Sequence, residues 1–168
     1  MNVLYRAALA AILLGGLTLG FAQDNKKGKA VNTNSNTRIF NPTGMHTPVG
    51  YSHVAEVTSG KIVYIAGQVA MDAAGNLVGK DDFAAQVEQV FVNLKTAVEA
   101  AGGTFKDVVK LNTYVPDSVD PALITAFRAA RDKHVNTANP PASTFVIVRR
   151  LVRPEWLVEV EAVAVVSK

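Results

Sequence analysis

Two glutamates, Glu159 and Glu161, stand in the otherwise apolar run Leu157-Val158-Glu159-Val160-Glu161-Ala162-Val163-Ala164-Val165. In a strand, a spacing of two puts both on one face. A carboxylate among apolar neighbours is expensive to bury unless it is paired, so Glu159 needs a reason to be there. One reason is structural: the face meets water, or both glutamates bond donors at an interface. The other is chemical, because a partly buried carboxylate with a tuned pKa can orient or deprotonate a hydrolytic water as a general base.

Further candidates lie elsewhere in the chain. Ser143 and Thr144 follow the turn Asn139-Pro140-Pro141-Ala142 and offer hydroxyls to a ligand oxygen, or simply start a strand. Tyr51 and His53 flank Ser52 on what reads as one strand face, and histidine is the side-chain type suited to proton transfer near neutral pH. Ala66-Gly67-Gln68 ends another apolar stretch. There Gly67 either makes a bulge or lets a ligand approach the backbone closely enough to use an N–H. His46 falls in a loop, and His134 falls at a helix end where it can complement the dipole. The three histidines lack ligand spacing, the chain has no cysteine, and no glycine-rich loop runs into a helix through Lys-Ser or Lys-Thr. No metal, nucleotide or other cofactor is expected.

These residues need a scaffold, and 168 residues suffice for one domain plus a tail. Arg6, the uncharged run from Ala7 to Phe21 and the small residues of Gly20-Phe21-Ala22 read as a signal peptide over residues 1–22. The run is short for a spanning helix, so export to the periplasm or medium without a lasting membrane anchor is expected. Residues 23–37 are polar and read as a flexible leader, leaving a domain over residues 38–168. Removing residues 1–22 takes the formal charge from +3 to +2. Lys26, Lys27 and Lys29 sit in the leader, and no basic face with interleaved aromatics is visible, which argues against nucleic acid as a partner.

Within the domain, Tyr51 to Val57 and Lys61 to Gly67 read as strands joined by a hairpin turn at Ser59-Gly60. Asp72 to Asn76 reads as a turn. Asp81 or Asp82 caps a helix with apolar residues at Phe83, Val87, Val90, Phe91, Leu94 and Val98, and Gly102-Gly103 ends it. A strand over Asp107 to Val115 follows, then a helix opened by Asp120-Pro121, then the two closing strands. The order is ββαβαββ, an α+β fold with two helices on one face of a sheet. Strands apolar on both sides leave the other face to be covered by further subunits.

In this order, Gly50-Tyr51-Ser52-His53, Ala66-Gly67-Gln68, the long helix, Val109-Lys110-Leu111-Asn112-Thr113-Tyr114-Val115-Pro116-Asp117 and the closing strands resemble the RidA/YjgF family of small imine and enamine deaminases over about residues 48–166. The resemblance implies a chorismate-mutase-like fold and a homotrimer whose sheets form a central barrel, with ligand clefts between subunits. It places Glu159 at the family's active-site glutamate and Tyr51 at the aromatic of its cleft. Two positions depart from the pattern. Ser143 stands where deaminating members carry an arginine that grips a substrate carboxylate, and Thr125 stands for an asparagine at the cleft. A hydroxyl cannot supply arginine's bidentate charged grip. Arg149, six residues on, is about 20 Å away along a strand and cannot replace it within one subunit.

The resemblance therefore implies a hydrolase acting on a reactive imine or enamine whose substrate differs from the usual 2-imino acids. The alternative is a non-catalytic trimer that binds a small metabolite or acts as a holdase. A ribonuclease activity once assigned to the family has neither a basic groove nor a His/Lys pair here.

Overall fold

The computed structural model describes residues 36–167. The segment read as a signal peptide, and the leader up to residue 35, lie outside the described residues. Six strands and two helices follow one another: β1 (Thr37–Phe40), β2 (Val54–Val57), β3 (Lys61–Gln68), α1 (Phe83–Ala100), β4 (Val108–Pro116), α2 (Ile124–Asp132), β5 (Ala142–Val148) and β6 (Glu159–Val166). A four-stranded sheet runs in the order β3-β6-β4-β5, and β1 pairs β2 in a separate ribbon.

The long helix forms as its residues dictate. Asp82 accepts a hydrogen bond from the Ala85 N–H at 3.0 Å, and Gly102, at φ +88°, ends the helix in the left-handed conformation that glycine takes without strain. Phe83, Val87, Val90, Phe91, Leu94 and Val98 recur every three or four residues. All six are at most 3% exposed and form the core against the sheet. The second helix opens on Asp120, which accepts from the Ala122 N–H, with Pro121 at the first turn.

Strands β3 and β4 are both antiparallel to β6, and β4 is parallel to β5. Each parallel relation needs a crossover, which α1 and α2 supply. In β4, Leu111, Thr113 and Val115 point into the helix-covered core, and Lys110, Asn112 and Tyr114 alternate onto the other face. That second face is open in the single chain and carries Tyr64 (79% exposed) and Ile62 (46% exposed). The α+β fold with both helices on one face is thus the expected one.

Two expectations are corrected. Strands β2 and β3 do not pair as a hairpin: β2 pairs β1 over Val54–Phe40 to Val57–Thr37, and β3 pairs β6 from Lys61–Val166 onward. Ser59-Gly60 is a corner between the sheets. Gly60 has φ +94°, and a Cβ there would lie 2.8 Å from the Val166 carbonyl oxygen. The corner is tied to Asn36, whose carbonyl accepts from the Thr58 N–H at 2.8 Å. The polar leader also ends earlier than expected. Asn36 and Thr37 are buried, with Asn36 Oδ1 accepting from Ser59 Oγ at 2.7 Å, and β1 starts inside the stretch assigned to the leader. Four residues, Thr-Arg-Ile-Phe, are too short to show a period.

Candidate functional site

The candidate residues fall into two groups on opposite faces of the sheet. The first surrounds a cavity of about 270 Å³ between α2, the start of β5 and the loop before β2, lined by Tyr51, Phe127, Arg128, Arg131, Ser143 and Phe145 among others. Ser143 reaches it because β5 pairs β4 with Ser143 opposite Leu111, on the helix-covered face. Tyr51 reaches it because the Ser52 N–H donates to the Pro141 carbonyl at 3.2 Å, stitching the loop to the start of β5. Tyr51 and His53 lie just ahead of β2 instead of within a strand.

Tyr51 is held by histidines. Its hydroxyl and His46 Nε2 are 2.8 Å apart, and the Tyr51 and His53 rings meet edge-on at 5.4 Å. His53 bonds the His46 carbonyl through Nε2 at 2.9 Å, and its backbone N–H donates to Asn41 Oδ1. His46, assigned to a loop and given no role from the sequence, is therefore what positions Tyr51.

Arg131 is the residue that sequence reasoning missed. It is buried, 9% exposed, and its Nε and Nη2 both donate to Asp132 Oδ1, at 2.9 and 2.7 Å. Its guanidinium lies against Gly50, where φ is +76° and a Cβ would sit 2.6 Å from Nη2. Ile124, Phe127, Arg128 and Arg131 share one face of α2 at spacings of three and four. That stripe is readable in the sequence, but the cavity it borders is not. Thr125 is off the stripe: it is exposed, and its hydroxyl donates to the Ala122 carbonyl at 2.9 Å. Arg149 lies on the surface beside Asp117, so it leaves the cavity alone, as expected.

The second group is built around Glu159. It pairs with Tyr114 and so shares the open face with Glu161, away from Ser143. The pairing of β3 with β6 is irregular between Ile65 and Gln68, and this bulge brings Gly67 against the Glu159 side chain. A Cβ on Gly67 would collide with Glu159 Oε1 and lie 2.9 Å from Cδ. Gly67 and Gln68 also edge an open groove of about 600 Å³ between the end of β3 and α1, with Gln68 Nε2 donating to the Ala66 carbonyl at 3.1 Å.

The two glutamates differ in their partners. Glu161 Oε1 accepts from Asn112 Nδ2 at 2.6 Å and from the Tyr114 hydroxyl at 3.4 Å. Burial pushes the Glu159 carboxyl above the ordinary glutamate range, and the charge of Glu161 pushes it further. Burial likewise raises the Tyr114 phenol, with Glu161 adding to the shift. Thr144 also points to the open face, where it accepts from Lys110 Nζ at 2.6 Å. Lys110 is lowered by burial, and Glu161 opposes that shift.

His134 follows the end of α2 and packs through its ring. Its ring stacks on Phe91 at 5.3 Å and 11°. Burial, first among several causes, lowers its pKa, which disfavours the cation that would complement a helix end. Its role is packing. Among the described residues, no group of three or more His, Cys, Asp or Glu is placed to hold a metal ion.

This fold and these motifs have relatives. Residues 44–166 match the family model described as Endoribonuclease L-PSP. A RutC family protein of Pyrococcus horikoshii is 34% identical over 118 residues, spanning 70% of this chain and 88% of that protein. Among solved structures, a protein of unknown function of the Rid family from Yersinia pestis, YyfB, is similar at TM-score 0.69 and 42% identity, covering 78% of this chain and 99% of that one. The RidA of an Antarctic Psychrobacter is similar at TM-score 0.56 and 32% identity, covering 75% and 94%. The chain belongs to this family, the Rid or YjgF proteins.

Proposed function

We propose that the protein is a hydrolase that deaminates a reactive imine or enamine. The observation that carries this reading is the Glu159 carboxyl, half-buried against Gly67, with its pKa raised by burial. A carboxylate of raised pKa is a stronger base and is suited to hold and deprotonate a water. A protonated imine is already electrophilic, so little else is asked of side chains. The water oxygen bonds to the imine carbon while the C=N pair moves to nitrogen, and the water's proton goes to Glu159. Glu159 returns that proton to nitrogen; as the C–N bond breaks, the O–H bonding pair forms the carbonyl, the hydroxyl proton passes to Glu159, and Glu159 hands it to the departing ammonia, which leaves as ammonium. The Gly67 backbone, exposed at the bulge, supports this by giving close approach.

The two groups face opposite sides of one chain, so a complete site needs a second copy. We propose a homotrimer in which the Glu159 side of one subunit faces the Tyr51 and Ser143 side of the next. The exposed Tyr64 and Ile62 on the uncovered sheet face support this, as does the resemblance to the trimeric family. Export, with cleavage near Gln23, is part of the same proposal and rests on the sequence of residues 1–22.

The experiment is a coupled assay in which an amino-acid oxidase generates imines and semicarbazide traps whatever is not hydrolysed. Wild type should lower semicarbazone formation, and Glu159→Gln should not. A second reading, a non-catalytic metabolite binder or holdase, is favoured by the neutral Ser143 at the family's arginine position. Wild type that binds an imine product but never speeds its formation decides for that reading.

A further inference from the structure

We propose that His46 and Tyr51 form a proton-delivery pair, in which the Tyr51 hydroxyl protonates an imine that arrives neutral and His46 restores the hydroxyl's proton. Tyr51 is the group that touches substrate, and His46 acts through it as a positioning residue. This rests on the deaminase reading, in which the imine must carry a proton before water attacks. Glu159, committed to the water, is not free to supply it.

A bent loop builds the pair. Gly50, at φ +76°, turns the chain so that His46 meets a residue five positions further on. His46 Nε2 and the Tyr51 oxygen, 2.8 Å apart, are within reach for proton transfer. His53 fixes both partners. Its Nε2 bonds the His46 carbonyl at 2.9 Å, and because a carbonyl only accepts, this nitrogen carries the proton. Its ring stands edge-on to His46 at 4.8 Å and to Tyr51 at 5.4 Å, and its backbone N–H is tied to Asn41. His134, which packs, is partly buried, whereas His46 is exposed. The His46 ring therefore exchanges protons with water, while Tyr51 lines the cavity beside Phe127, Ser143 and Arg131. One end of the pair meets solvent and the other meets the space for a ligand.

A phenol, with an ordinary pKa of about 10, gives up its proton reluctantly near neutral pH, and an imidazolium, at about 6.5, does so readily. In contact, the two act as one acid. The lone pair of the imine nitrogen takes the Tyr51 proton, and the O–H bonding pair stays on oxygen. That oxygen takes the Nε2 proton of the His46 imidazolium, whose N–H pair becomes the ring's lone pair. Tyr51 is never left as a phenolate, and water reprotonates the exposed ring. The product is the iminium that the partner subunit's Glu159 supplies with water. His53, Arg128 and Arg131 are the other titratable or charged groups on the Tyr51 side of the cavity. The transfer moves one positive charge from ring to substrate and creates none, so the space beside the two arginines takes on no added charge.

The test measures kcat and KM against pH in the semicarbazide assay, for wild type and variants of the full chain. The wild-type rate should fall at high pH as His46 loses its proton. His46→Gln keeps an amide donor to Tyr51 but cannot carry a proton. It should lower kcat about tenfold or more, leave KM within about twofold, and move the falling limb toward the range of a phenol, about 10. His46→Ala should regain turnover as imidazole is added, because the exposed position admits a free imidazole beside Tyr51; a merely structural role gives no such rescue. Tyr51→Phe should lose roughly a hundred-fold, with no rescue by imidazole. Without substrate, Tyr51→Phe should also shift the NMR titration of the His46 ring, and an unchanged titration overturns the pair. His46 variants that match wild type in kcat and pH profile overturn the proposal and leave the deaminase reading standing. Wild type without turnover sinks the deaminase reading and the proton transfer with it.

Discussion

The Glu159 carboxyl rests on the α-carbon of Gly67, in a space that exists because the bulge in β3 carries no side chain there. Gly67 lies outside the left-handed region, so alanine is conformationally acceptable and the contact alone is at stake. Gly67→Ala is expected to displace the carboxyl. Overpacking of this kind typically destabilises by about 1–3 kcal/mol, and hydrolysis should fall about tenfold or more. A variant with wild-type turnover shows that the placement of Glu159 is unimportant.

Glu159 also sets a pH dependence. As a base it must be ionised, and its pKa is raised by burial and by Glu161. Turnover should therefore rise with pH through a value above that of an ordinary glutamate. Stability runs the opposite way: the folded state binds the proton more tightly than the unfolded chain, so this group's contribution is present at low pH and lost as pH rises through the folded pKa. Glu159→Gln should flatten both trends. A rate profile for wild type that turns at the ordinary glutamate pKa contradicts the assigned environment.

Gln86 is fully buried and joins three segments. Its Nε2 donates to the carbonyls of Gly79 and Glu155, at 3.1 and 2.8 Å, and its Oε1 accepts from the Leu157 N–H at 2.9 Å, two residues before Glu159. Gln86→Leu leaves those backbone groups without their partner, and a loss of about 1–3 kcal/mol is expected in urea unfolding. Turnover should fall too, because the entry to β6 loosens. An unchanged urea midpoint counts against this role.

Assembly can be checked on the open sheet face. Light scattering should give three copies, and Tyr64→Glu, which puts a charge where an apolar surface is to be covered, should give one. A stable wild-type monomer at micromolar concentration removes the inter-subunit site.

Export is tested by intact mass. Protein from a periplasmic fraction should begin near Gln23, lacking Arg6 and the apolar run after it. Full-length protein confined to the cytosol rules the export proposal out.

Elements with strong periods and clear ends were legible from the order of residues. The α1 stripe, its Asp82 cap and Gly102 stop, the Asp120-Pro121 start and the closing strands are local rules of spacing and backbone geometry. Glu159 was legible for a related reason: a charge in an apolar strand breaks the pattern. Tertiary structure decided what depends on partners distant in the chain. The partner of β3 is β6, about a hundred residues on, because the core row through Ile65 is completed by Ala162; Ser59-Gly60 alone favoured a local hairpin. His134 as a packed ring, Gln86 as a brace and Arg131 as a cavity-lining cation were invisible for the same reason. Each is an ordinary helix-associated residue in the sequence, and its environment is made by segments that only the folded chain brings together.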